Sequence, residues 1–200
     1  MAKPRQFDEE EVVNKAMHLF WEKGYSGTSV QDLVEHTGLS RSSLYDTFEG
    51  KDQLFSLVLR MYMIKDPKTA EVLDRITQGD LKALTYLRNY VDALAQEAAD
   101  DPLKRGCFAG NTTAEVATCP KDVVDLLQLN QVRVIEHLTQ VIALGQQQGE
   151  LSDVQPAAAQ ARYLFMFFNG MRLSARLDNR PEQLEAAIDA ALQGLIPVLV

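Results

Sequence analysis

Between Asp32 and Phe48 the chain reads DLVEHTGLSRSSLYDTF, and a helical pattern stops and restarts within a few residues. Leu33 and Val34 belong to one amphipathic run, Thr37-Gly38-Leu39-Ser40 interrupts it, and Leu44, Tyr45 and Phe48 carry a second. Gly38 suits a helix end, and Ser40 suits the N-cap of the next helix. Two short helices meeting at a tight glycine-containing turn form a helix-turn-helix unit. In such a unit the first helix braces across the phosphate backbone and the second enters the major groove. The groove admits that helix only if its leading side chains are neither bulky nor apolar. Here they are Ser40, Arg41, Ser42 and Ser43. Serine hydroxyls can serve base edges or phosphates, and Arg41 can make a bidentate contact to guanine. Leu44 and Phe48, four apart, would hold the helix on a core of Leu19, Phe20 and Leu33.

The rest of the chain is also read as helical, since alternating strand patterns between turn pairs are absent. DEEEVVNKAMHLFWEKG opens with Asp8 as N-cap, spaces Val12, Val13, Ala16, Leu19 and Phe20 helically, and stops at Gly24. Thr28 with Gln31 reads as a capping box for the next helix. Gly50 and Lys51 begin a fourth helix with Leu54, Leu57, Val58 and Met61 on its apolar stripe. Around Pro67 the composition shifts, which suggests a kink or boundary. Longer amphipathic stretches occupy 80–99, 120–148, 156–178 and 181–195, the last two opened by prolines. The expected fold is all-α: a helix-turn-helix DNA-binding head over residues 1–51 and a larger helical regulatory and dimerisation body over 52–200.

Charge constrains how such a head could meet DNA. The chain carries a formal net charge of −8, so binding must come from a local arrangement of donors rather than from bulk attraction. Residues 1–51 are themselves acidic, since Lys3, Arg5, Lys15, Lys23, Arg41 and Lys51 face a larger number of carboxylates. Lys3, Arg5, Arg41 and Lys51 are expected on the DNA side. Binding should rely on two heads acting together.

From Phe7 to Leu59 the chain resembles the DNA-binding head of the TetR/AcrR family of bacterial repressors. The matching residues are Ala16-x-x-Leu19-Phe20, Gly24-Tyr25-x-x-Thr28-Ser29-Val30, Gly38-Leu39-Ser40, Leu44-Tyr45-x-x-Phe48 and Lys51-x-x-Leu54. The resemblance implies an all-helical homodimer of about nine helices per chain, a variable body with an inducer pocket, and repression relieved by ligand. It further implies that Tyr45 and Lys51 contact phosphates, and that Thr28 and Ser29 grip another phosphate by hydroxyl and backbone N–H. Arg41, Ser42 and Ser43 would face bases, with Ser40 shared with the backbone.

In the body, helix 156–178 is apolar around much of its circumference, which favours a two-fold seam built from the last two helices. Gly106-Cys107-Phe108 with Asn111 resembles a segment of one branch of the same family. Cys107 comes after Lys104 and Arg105, and Cys119 precedes Pro120 and Lys121 at an expected helix N-terminus, where a thiol pKa falls. Either thiol could sense electrophiles or oxidants, or both could be small buried hydrophobes. The competing signal is an uncharged or aromatic inducer in a pocket of Tyr86, Tyr90, Phe108, Phe165 and Phe168. These aromatics could equally be solid core.

No cofactor, metal or catalysis is expected. His18, His36 and His137 lack metal-ligand spacing, and no Walker loop, nucleotide fingerprint or serine elbow occurs. Apolar runs such as YLFMFF at 163–168 are too short to span a bilayer, and no export signal is visible, so a soluble cytoplasmic protein is expected. The alternative is an all-helical dimeric interaction module that binds no DNA.

Overall fold

The computed structural model describes residues 7–63 and 69–197. Among these, ten α-helices and one short 3-10 turn occur, and no strand. The Pro67 boundary, and Lys3 and Arg5, lie outside the described residues. The chain divides into two compact units, a head of residues up to 65 with 108–128 and a body of 66–107 with 129–200.

The head contains α1 (Glu9–Gly27), α2 (Val30–Thr37), α3 (Arg41–Phe48), α4 (Lys51–Met63), α7 (Phe108–Ala114) and the 3-10 turn Val116–Thr118. It also takes the beginning of α8 (Lys121–Gln147). Asp8 caps α1 by accepting from Glu10 N at 2.9 Å, and the acidic first turn sits at the positive end of the dipole. Leu19, Phe20, Leu33, Leu44 and Phe48 are buried together, as their spacing implied. Leu39, inside the turn itself, is buried with them, so the turn is pinned by its own side chain.

Packing moves the head's edge beyond residue 51. Leu54, Phe55, Val58 and Leu59 of α4 are fully buried in the head core. Phe108, Val123 and Leu127 join them from much later in the sequence. Phe55 sits edge-on to Phe20 at 4.8 Å and to Phe108 at 5.7 Å between ring centroids. Helix periodicity says which face of α4 is apolar, but not which core receives it. For that reason spacing alone groups α4 with the body, and packing corrects it.

The body holds α5 (Thr69–Gln78), α6 (Ala83–Asp100), the remainder of α8, α9 (Ala157–Ser174) and α10 (Pro181–Gln193). Its core runs through Leu87, Val91, Leu138, Ile142, Leu164, Phe168 and Ile188. Lys82 gives α6 no side-chain cap; instead Glu150 accepts from Ala83 N at 2.9 Å and Leu84 N at 3.2 Å. The carboxylate thereby satisfies two of the helix's orphan N–H groups from a distant turn.

Candidate nucleic-acid interface

The turn between α2 and α3 works because Gly38 takes the left-handed conformation, φ 77° and ψ 7°, at the end of α2. Its N–H reaches Val34 O at 3.0 Å, and the chain re-enters a helix shortly afterwards at Arg41. Ser40 caps α3 by accepting from Ser43 N at 3.1 Å. Its hydroxyl also lies 2.9 Å from Ser42 Oγ and 2.8 Å from Ser43 Oγ. The three serines therefore form a small closed network that can exchange its partners for base or phosphate oxygens without leaving a group stranded.

Leu44 and Phe48 anchor α3 inward, which turns Arg41, Ser42, Tyr45 and Asp46 outward. Arg41 makes no ion pair among the described residues. Tyr45 is exposed and its ring lies over Gly50, where an added Cβ would come within 3.0 Å of Cε1. Asp46 belongs to no motif that sequence spacing picks out, although it stands one turn after Ser42 on the same exposed face. A carboxylate there can accept from cytosine N4.

Lys51 opens α4 with its Nζ 4.1 Å from the centre of the Tyr25 ring. Burial pushes its pKa below the usual lysine value, with neighbouring carboxylates opposing that shift. Tyr25 donates to Asp52 Oδ1 at 2.6 Å, and its own pKa is raised by burial and by that bond.

At the start of α2 the structure corrects the expected roles. Thr28 is 1% exposed, and its hydroxyl donates to Gly24 O at 2.7 Å, so that hydroxyl is already engaged inward. Its N–H is bonded to Tyr25 O at 3.3 Å. The capping box belongs to Ser29 and Asp32 rather than to Thr28 and Gln31. Asp32 N donates to Ser29 Oγ at 3.0 Å, and Ser29 N donates to Asp32 Oδ2 at 2.8 Å. Thr28 is drawn inward by the α1 kink one turn earlier, a tertiary constraint that local spacing does not reveal. Asp32 also pairs with Lys23 near the end of α1. Lys23 and then Ser29 hold the Asp32 carboxyl well below the usual carboxylate range.

The expected sensing residues do not form one group. Tyr86 and Tyr90 lie in the body with ring centroids 6.1 Å apart, Tyr90 is 5.7 Å from Phe168, and Phe165 packs on the same core. Phe108, by contrast, is a head-core residue 1% exposed against Trp21, Phe55 and Tyr62, and half-buried Asn111 is on α7 with it. Cys107 is half-buried and belongs to the body. Cys119 is half-buried in the head, where it ends the 3-10 turn and its thiol donates to Glu115 O at 3.5 Å. Burial and Glu115 push its pKa up, with Lys51 opposing, which reverses the expected thiolate.

His137, which has no metal-ligand spacing, occupies a distinctive place in the body. It is 7% exposed on α8, with Nε2 2.6 Å from Tyr86 Oη, and its Nδ1 has no hydrogen-bond partner among the described residues. Burial lowers the His137 pKa and, with Tyr90 nearby, raises that of Tyr86 to about 12. Among the described residues no helix is long and apolar enough to cross a membrane, and no cluster of three or more His, Cys, Asp or Glu could hold a metal.

A helical head with an outward, polar-tipped second helix, joined to a separate helical body, defines a helix-turn-helix transcriptional regulator. The chain belongs to the TetR family of bacterial regulatory proteins: residues 12–58 match that family's N-terminal domain, and 83–191 match the tetracyclin repressor-like C-terminal domain. It is 30% identical over 198 residues to the HTH-type transcriptional repressor ComR of Escherichia coli K12, covering 99% of this chain and 93% of that protein. In fold it resembles a TetR-family regulator from Agrobacterium tumefaciens, with TM-score 0.80 and 21% identity over 94% of this chain and 97% of the other. It also resembles a cysteine mutant of the regulator CifR complexed with 26bp double-strand operator DNA, with TM-score 0.79 and 22% identity over 97% and 100% of the two chains. The family and these relatives are regulators, not enzymes.

Proposed function

We propose that this regulator represses transcription as a cytoplasmic homodimer on a palindromic operator, and that a signal received in the body releases it. The observation that carries the reading is the outward Arg41–Ser42 end of α3, backed by buried Leu44 and Phe48. Arg41, Ser42, Ser43 and Asp46 read bases. Ser40, Tyr45 and Lys51 serve phosphates, together with the backbone N–H groups at the start of α2. Thr28 contributes by holding that start in place, and Ser29 by capping it.

The homodimer is supported by α9. On α9, Tyr163, Met166 and Leu173 are 50%, 62% and 61% exposed, Leu177 in the turn just after it is 89% exposed, and a Cβ on Gly170 would meet nothing within 4 Å. Single exposed apolar residues are ordinary, but this many recurring at helical spacing form a continuous face suited to a second copy. On α10, Ala187 shares the exposed side, whereas Ala191 faces the body's own interior.

For the signal, the Tyr86–Tyr90–Phe168 group beside His137 offers ring surface and a buried polar atom without a partner among the described residues, features suited to an uncharged ligand bearing one hydrogen-bonding group. Cys107 lies close enough to Tyr90 to act on it electrostatically, so a thiol adduct there would disturb the same group. Selecting bound sequences from random DNA, with and without a thiol reagent, tests the whole reading. Recovery of a two-fold symmetric sequence, bound less tightly as salt rises, supports it. Failure to enrich any sequence returns the protein to the class of interaction modules.

A further inference from the structure

The last turn of α1 is bonded to a residue 89 positions later in the chain. Glu115 directly succeeds α7, and its Oε2 accepts from Ser26 N at 3.2 Å. Beside it, the Ser26 and Thr118 hydroxyls are 2.7 Å apart. α1 kinks at Gly24, whose φ of 75° and ψ of 172° lie in a region essentially reserved for glycine. A Cβ on Gly24 would stand 2.2 Å from Glu115 Oε1, so the space left by the missing side chain is where the carboxylate sits. From the kink the line continues, because Gly24 O accepts the Thr28 hydroxyl and the next residue is Ser29, the N-cap of α2.

This contact is anchored on both sides. Phe108 is packed among Trp21, Phe55 and Tyr62, and Ser56 donates to Asp122 just beyond the 3-10 turn. Glu115 also acts on Lys51 electrostatically, favouring its charged form against burial. One carboxylate therefore bears on both elements assigned to phosphates.

We propose that Glu115 is a positioning residue for DNA binding: it holds the α1 kink and, through Thr28, fixes the direction in which the first N–H groups of α2 point. It rests on the DNA-binding reading given under Proposed function.

The test uses the full chain and two variants. Glu115→Ala removes the acceptor, whereas Glu115→Gln keeps an oxygen for Ser26 N. Amide hydrogen exchange at residues 26–32 should quicken by roughly tenfold or more in the alanine variant and stay near wild type in the glutamine variant. Affinity for a duplex selected by the wild-type protein should fall roughly tenfold in the alanine variant, about 1.4 kcal/mol, and recover in the glutamine variant. Unchanged exchange in Glu115→Ala overturns the positioning role. Faster exchange with undiminished affinity overturns its link to DNA. A glutamine variant as impaired as alanine in both measurements overturns the hydrogen-bond mechanism. If the wild-type protein selects no duplex, the DNA-binding reading fails, while the exchange data still decide whether Glu115 holds the kink.

Discussion

Around the head's second and third helices the polar side chains are tied to one another or to nearby backbone: Asp32 to Ser29 N–H, the Thr28 hydroxyl to Gly24 O, and Ser40 to Ser42 and Ser43. The body is finished differently. Its α9 leaves Tyr163, Met166 and Leu173 at solvent, with Leu177 exposed just beyond the helix end, and its core keeps a buried imidazole nitrogen without a partner among the described residues. The head is thus preorganised before any ligand arrives, so little ordering opposes binding to a rigid duplex. The body is complete only with something added: on the proposed reading, a second copy on its outer face and a ligand against its inner one.

Attacking the head's rigidity should have the largest effect. Phe55→Ala removes a fully buried ring in contact with Phe20, Tyr25 and Phe108, and should cost about 3–5 kcal/mol in denaturant unfolding. A loss under about 1 kcal/mol would mean that the head core is looser than its packing indicates. Next comes the body's open face. Glutamate at both Met166 and Leu173 should give a folded monomer by sedimentation. Operator affinity should then drop by about 100-fold or more, because the two heads no longer bind as one. A variant that stays dimeric would remove α9 from the interface.

Within the head, two variants separate reading from holding. Arg41→Ala should relax preference at one base position by about 1–3 kcal/mol, measured over a set of single-base operator variants. Lys51→Ala should weaken every sequence about equally and lower the slope of log affinity against log salt by about one. Equal losses across sequences for Arg41→Ala would reassign it to a phosphate.

The smallest effect is a pH dependence in the body. Because burial lowers the His137 pKa, the unfolded chain binds the proton more readily than the folded one. Stability from this group is therefore complete above the unfolded value near 6.5 and declines as pH falls from there toward the folded value. His137→Gln should flatten that part of the curve of unfolding midpoint against pH. An unaltered slope would assign the acid sensitivity elsewhere.

The helix-turn-helix is legible in the sequence because its signals are local. Gly38 requires the left-handed turn, Ser40 caps α3, and Leu44 with Phe48 faces one way at a spacing of four. The apolar character of α9 is legible for the same reason, since period alone shows that both of its sides are apolar. Spacing does not say where those faces go. α4 and Phe108 join the head, Thr28 turns inward while Ser29 takes the cap, and Glu115 occupies the gap at Gly24. Each of these depends on a partner distant in sequence or on the angle of a kink. Local chemistry wrote the helices and their ends; the company each side chain keeps, and so the pKa of Cys119 and the hydroxyls left for DNA, was decided only when the chain closed on itself.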